Sequence, residues 1–276
     1  MMTFELKFLD ALRAAGLDPV KADIDADGAL HRYRVTGDKA GSMNGWYVLH
    51  GAPVPAGAFG SWRTGESHTW RDDVVRVDTS AERAELQRQM QAMKAVRAEE
   101  EKRVRAAART KAAKLWLMAK PAPGDHPYLE RKRVKAWGLR QLNNMLLIPA
   151  RDTAGQLHTL QFIGPDGNKR FLTGGRIQGC YYSMGSVHGA VLVAEGYATA
   201  ASVFEASGHA VAVAFNAGNL EPVARAIRAK FPKLHIVICA DDDAATPGNP
   251  GLTKATEAAR AVRGFVVAPD FSGVAA

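Results

Sequence analysis

The spacing of apolar positions changes rhythm several times along the chain, and each change predicts a different element. In residues 3–15, TFELKFLDALRAA, apolar side chains fall three and four apart, which predicts an amphipathic helix ended by Gly16 and Pro19. Short alternating runs follow, ALHRYRV, GWYVLHG, AGAFGSWRT and SHTWR, separated by Gly, Pro, Asn and Asp. They predict a small antiparallel sheet. From Ser80 to Lys120 there is neither Gly nor Pro, and Ala, Glu, Gln, Arg, Lys and Met dominate, so one long helix is expected, with Ser80 as N-cap and Pro121 beyond its end. Its apolar residues are too sparse for a sustained heptad, which favours a solvent-facing basic helix or a strut between domains. A second set of strand-like runs, NMLLIPARD, LHTLQFIG, KRFLTGG and CYYSMG, is punctuated by the turn signals DTAG and GPDGN. Near residue 190 the pattern switches again. VLVAE, AVAVAFN, HIVICAD and FVVAPD are continuous apolar runs, and TAASVFEASG, LEPVARAIRAKFP and GLTKATEAARAV between them have helical spacing. Alternation of this kind indicates an α/β domain with a small doubly wound parallel sheet covered on both faces. Four segments result: 1–79, an aromatic-rich α+β unit; 80–120, a basic helical linker; 121–189, a mixed-sheet subdomain; and 190–276, the parallel domain.

Charge sharpens this division. The chain has 276 residues and a formal net charge of +8, but residues 81–120 carry 11 Lys/Arg against 5 Asp/Glu and residues 121–189 carry 9 against 4, whereas both ends are slightly acidic. A basic middle suits a polyanion, because Lys and Arg bound to phosphates release condensed counterions; it also suits an ordinary solvated helix. In the N-terminal unit Tyr33, Trp46, Tyr47, Phe59, Trp62 and Trp70 are interleaved with Arg32, Arg34, Arg63 and Arg71. Such a set can stack the bases of a single-stranded template, or simply fill the core of a small sheet. Only Cys180 and Cys239 are present, so a disulfide framework is not expected and a Cys-rich zinc site is excluded; both are read as packing residues. His158, His188, His209 and His235 show no ligand spacing. No apolar run approaches the ~20 residues of a membrane span, and the N-terminus does not read as a signal peptide, so a cytoplasmic protein is expected.

The candidate chemistry lies where the parallel strands end. Ligands of such sheets gather outside the carboxyl ends of the strands. The first strand runs into Glu195 and the third into Asp241, Asp242 and Asp243. If those strands are neighbours or one apart, the acids meet at one edge and repel one another unless a cation intervenes. Carboxylate oxygens suit Mg²⁺ or Mn²⁺. Alternation turns Asp241 and Asp243 to the same side, so these two and Glu195 are the candidate ligands.

The run LVAEGYATAASVFEASG, with AVAVAFNAGNL and IVICADDD, resembles the Toprim domain shared by bacterial-type DNA primases, topoisomerases and several nucleases. The preceding LLIPARDTAGQLHTLQFIGPDGNKRFLTGG is similar to the sheet that precedes Toprim in primase catalytic cores. HPYLERKRV, AFNAGNL and GWYVLHG...PAGAFGSWRTG resemble primases of phages and of conjugative or integrative elements, including those of plasmids. The resemblance implies that Glu195, Asp241 and Asp243 bind Mg²⁺ and form the catalytic centre of primer synthesis on a single-stranded DNA template from NTPs, with a replicative helicase as a candidate partner. Lys169 and Arg170, after the PDGN turn, are candidates to hold the nucleotide or the template phosphates; Asn216 and Asn219 are candidates to contact substrate or to cap the next helix. The chain departs from the family in three places: it lacks the cysteines of a zinc ribbon, carries an extra AATPGNP loop, and has Asp242 where Gly or Asn is common. A Toprim nuclease and a noncatalytic single-strand-binding module remain alternatives, whereas a topoisomerase would need tyrosine-bearing domains with no room in this chain.

Overall fold

The computed structural model describes residues 3–52, 54–72, 80–241 and 249–269. Its contacts divide the chain into two units, 1–104 and 105–276. The division falls inside the long helix and not at its ends, because each half of that helix packs on its own unit.

In the first unit, α1 (Phe4–Ala14) ends at Gly16, whose φ of 72° is the left-handed conformation that glycine adopts without strain. Four strands follow, β1 (Asp27–Tyr33), β2 (Gly45–His50), β3 (Ala56–Ser61) and β4 (Ser67–Arg71), in an antiparallel sheet of order β1-β2-β3-β4. The period of two assigns one face to the core. Tyr47, Leu49 and Phe59 pack there with Phe8, Leu9 and Leu12 of α1, and Phe8 meets the rings of Tyr47, Phe59 and Trp70 edge-on at 5.8, 5.5 and 5.3 Å. Trp46 lies on the other face and is also buried, against Trp62 and under the guanidinium of Arg97 from the long helix.

That helix, α2, spans Ser80–Met118, and the residues just before Ser80 lie outside those described. It is not simply solvent-facing. Met93 is buried in the first half, and Ala108 and Ala112 in the second. Small or flexible side chains at these few positions let it lie close to a sheet without an apolar stripe, which is why the sequence pattern missed the packing.

The second unit adds β5 (Lys120–Pro121), α3 (Pro127–Lys132), β6 (Arg140–Leu142), β7 (Met145–Arg151), β8 (Leu157–Ile163) and β9 (Lys169–Phe171). The sheet order is β5-β6-β7-β8-β9, and every described pair is antiparallel, so the sheet expected to be mixed is not. Short turns join β6 to β7, β7 to β8 and β8 to β9, which suits antiparallel pairing; only the β5–β6 connection, through α3, is long enough for a crossover, and it too returns antiparallel. One face, Leu147, Leu160 and Phe162, is covered by the C-terminal half of α2. The other, Leu146, Ile148, Ala150 and Ile163, packs on the next sheet.

That next sheet is built from β10 (Tyr182–Met184), β11 (Ala190–Ala194), β12 (Ala210–Val213), β13 (His235–Cys239) and β14 (Phe265–Val267), in the order β10-β12-β11-β13-β14. β11 to β14 are parallel; β10 is antiparallel to β12. β10 therefore belongs to the C-terminal sheet, and the expected boundary at 189/190 is crossed by hydrogen bonds. The helices α4 (Tyr197–Ser207), α5 (Leu220–Lys230) and α6 (Pro250–Val262) complete the doubly wound arrangement. Val191, Val193, Ile236 and Ile238 face α5 and α6; Leu192, Ala194, Val211 and Val213 face α4 and the antiparallel sheet. Both faces of β11 and β12, and most of β13, are buried, which is why these strands read as unbroken apolar runs, whereas Phe265, Val266 and Val267 of the edge strand β14 are exposed. Cys180 and Cys239 are free and buried; burial, with the charge of Asp241 second, pushes the Cys239 thiol up to about 11. Among the described residues no helix is long and apolar enough to cross a membrane.

Candidate functional site

β11 and β13 are hydrogen-bonded neighbours with Ala194 opposite Cys239. Glu195 follows the end of one strand by one residue and Asp241 follows the other by two, so the register brings the two acids to the same carboxyl edge. Both are partly exposed. The start of α4 lies between them: Gly196 is its N-cap, and Thr199 in its first turn donates from Oγ1 to Asp241 Oδ1 at 3.2 Å. The positive end of the α4 dipole favours negative charge at this edge, so a carboxylate at the strand end is less costly than the sequence alone suggests. Asp243 lies outside the described residues, and among those described no group of three His, Cys, Asp or Glu side chains converges. The donors in place, two carboxylates half-open to water, fit a hard divalent cation that keeps most of its waters or substrate oxygens.

Across from these acids stands the antiparallel sheet. The Lys169 ammonium approaches Gly196 so closely that a Cβ there would meet Nζ at 3.7 Å. Lys169 therefore lies near the backbone that follows Glu195. Arg170 does not. Lys169 pairs with Ile163 and Arg170 with Phe162, and those partners point to opposite faces of the sheet. Arg170 lies over the Phe162 ring at 4.9 Å, on the face covered by α2. The sequence placed these two cations together; the pleat separates them.

The loop after β12 is held to Glu195 through the backbone. Ala214 N–H donates to Ala194 O at 2.8 Å and Phe215 N–H to Glu195 O at 2.7 Å. Phe215 has φ 76°, a left-handed conformation rare for a bulky residue, and its buried ring meets Phe171 edge-on at 5.6 Å. Phe171 is two residues from Lys169 on the same strand, so this ring pair ties the lysine's strand to the loop that holds the glutamate. Asn216 is exposed at this edge, without a side-chain capping bond. Asn219 is 3% exposed and turned inward: its Oδ1 accepts from Gly179 N–H at 2.8 Å, and its Nδ2 donates to Ile177 O, Cys180 O and Ala214 O. Every polar atom of that amide is engaged, and none caps α5. Asn219 fixes the loop and has no group left for a ligand.

Residues that sequence reasoning did not single out are Thr199, Phe215 and Tyr197. Tyr197 is fully buried; its hydroxyl accepts from Trp137 N–H at 2.9 Å and donates to Lys135 O at 2.7 Å, clamping the 135–137 segment to the first turn of α4. Thr199 could have been found as a hydroxyl one turn after the strand-end acid, whereas nothing in the sequence signals a phenylalanine at positive φ. His158 is bonded to Asp152 Oδ2 at 2.8 Å; burial would raise the Asp152 carboxyl, but this bond and those from Gln156 and Ala154 N–H outweigh it and hold it low. His188, His209 and His235 are exposed.

Residues 190–270 match the family model of the Toprim domain. The chain is 39% identical to one DNA primase TraC of Escherichia coli and 36% identical to another, over 98% of its own length in both cases. It spans about a quarter of the first (27%) and a fifth of the second (20%). Among solved structures it is similar to the primase fragment of the bacteriophage T7 primase-helicase protein (14% identity, TM-score 0.39, covering 52% of this chain and 64% of that one). It is also similar to a DnaG primase catalytic domain bound to ssDNA (12% identity, TM-score 0.39, 58% and 68%).

Proposed function

We propose that this chain, whose residues 190–270 are a Toprim domain, is the catalytic core of a DNA primase that makes short primers on single-stranded DNA from NTPs. The observation that carries this reading is that Glu195 and Asp241 follow the carboxyl ends of adjacent parallel strands, with the Lys169 ammonium near Gly196. The likeness over 98% of the chain to two DNA primases supports it. Toprim domains bind divalent metal ions; here Glu195 and Asp241, with Asp243, would hold Mg²⁺ or Mn²⁺, and no zinc is required. When bound, such a cation lowers the pKa of the attacking 3′-hydroxyl and offsets charge on the departing pyrophosphate. The chain's own residues do the rest. Thr199 fixes one oxygen of Asp241, and the Phe215 amide fixes the Glu195 backbone. Lys169 supplies the fixed positive charge that orients the triphosphate, so that the reacting atoms meet in line.

The test is incorporation of labelled NTPs on single-stranded DNA with Mg²⁺ or Mn²⁺. Template-dependent oligonucleotides from the wild type, and none from Glu195→Gln or Asp241→Asn, are expected. Nicked DNA without such products would replace this reading with a nuclease using the same acids.

A further inference from the structure

Phe171 and Phe215 belong to different sheets and meet beside the reaction edge, yet neither carries a group that reacts. We infer that they are a positioning pair: their ring contact sets where the Lys169 ammonium stands relative to the backbone of Glu195, and so how the triphosphate is aligned. The catalytic consequence rests on the function proposed above; the linkage between the two sheets does not.

The backbone of Phe215 is the first sign. Its φ of 76° lies in the left-handed region, which a bulky side chain seldom enters and a glycine enters freely. Such a conformation persists only where the surroundings over-determine it. Three contacts do so here. The Phe215 amide donates to Glu195 O at 2.7 Å, the preceding Ala214 amide donates to Ala194 O at 2.8 Å, and the buried ring packs into the core between the sheets, edge-on to Phe171 at 5.6 Å. A glycine would satisfy the backbone at this position, so what the phenylalanine adds is its ring.

The strand that carries Lys169 is the second. β9 is three residues long and lies at the end of its sheet, with β8 its only partner among the described residues. A short edge strand held on one side is a weak support for a side chain that has to be placed to within about 0.5 Å. Phe171 lies two positions from Lys169 and therefore on the same face, the one that packs on the parallel sheet. Its contact with Phe215 gives β9 a second anchor, and that anchor continues through one amide into the Glu195 carbonyl.

Two measurements on the full chain test it. Hydrogen exchange reads the linkage without any ligand: loss of the aromatic pair in Phe171→Ala should speed exchange of the amides of residues 214–216 by roughly tenfold, while the amides of β11 and β13 keep their protection. Where Phe171→Ala loosens the whole unit, Phe171→Leu, which keeps apolar bulk without a ring, should show the same local effect at about threefold. Primer synthesis reads the positioning. Phe171→Leu and Phe215→Gly should each lower kcat by roughly tenfold with KM for NTP changed by less than about threefold, since misalignment of bound substrate costs rate more than affinity. In either background Lys169→Ala should cost at least about threefold less than it costs the wild type, because a lysine already out of place has less to lose; a purely structural role would leave the Lys169 effect unchanged. Amides 214–216 that exchange no faster in the Phe171 variants, Phe215→Gly with wild-type kcat, or strictly additive Lys169 effects overturn the inference. Wild-type protein that makes no primers, with the exchange result as expected, would overturn the primase reading and leave the linkage between the sheets standing.

Discussion

The two units carry functional-looking residues in different relation to a sheet, within the strands in one and just past the strand ends in the other. In the N-terminal sheet most of the aromatics that resemble a base-stacking platform, with Arg32 and Arg34, are engaged within the fold, while Arg63 and Arg71 are exposed. Phe8, Tyr47, Phe59 and Trp70 form one cluster, Trp46 is 2% exposed beneath α2, and Arg32 and Arg34 donate to the carbonyls of Met43 and Asp38. In the C-terminal sheet the apolar strands are just as buried, but the acids stand one and two residues beyond the last hydrogen-bonded pair, Ala194 and Cys239. The lesson is positional. A polar or aromatic residue within a ladder is used by the ladder, and one just past its carboxyl end lies where the ligands of parallel sheets gather.

This contrast can be broken or sharpened by substitution. Trp46→Ala should be the most damaging change, costing roughly 3–5 kcal/mol of stability as a large cavity opens, read by denaturant unfolding; a loss of DNA affinity without unfolding would instead make Trp46 a stacking residue. Glu195→Gln should do the reverse, lowering primer synthesis by roughly 100-fold or more while shifting stability by less than about 0.5 kcal/mol. Asn219→Ala should cost about 2–3 kcal/mol, because several buried backbone groups lose their only side-chain partner. Unchanged melting with weakened nucleotide binding would return Asn219 to the list of ligand contacts. Tyr197→Phe leaves Trp137 N–H and Lys135 O without that hydroxyl and should cost about 1–2 kcal/mol, again seen in unfolding. The smallest effect concerns pH. The folded Cys239 thiol is raised from 9.0 to about 11, so its neutral form is favoured in the fold; the stability this contributes is complete below pH 9 and is lost as pH rises towards 11. Native protein should therefore resist iodoacetamide at Cys239 at pH 8, and rapid alkylation there would show that the β13 end opens.

Much of this was legible from residue order. The four strands of the first sheet, the long Gly- and Pro-free helix and the alternation after residue 190 follow from period and punctuation, which act locally. That Glu195 and Asp241 emerge at one edge of the sheet was readable because parallel strands end on the same side. The allegiance of β10 was not, since three residues carry too little pattern to choose between two sheets. Nor was the inward turn of Asn219, whose four partners come from residues 177, 179, 180 and 214.

The sequence by itself determined which residue types could do chemistry and at which strand ends they would emerge, because hydrophobic period and turn residues are read within a few positions. Only the tertiary structure decided which of them face one another. Lys169 and Arg170 are adjacent in the chain and on opposite faces of a sheet, while Lys169 and Gly196, 27 residues apart, are brought close together. That assignment depends on strand register and on which face each neighbouring element covers, and both are set by burial summed over the whole unit.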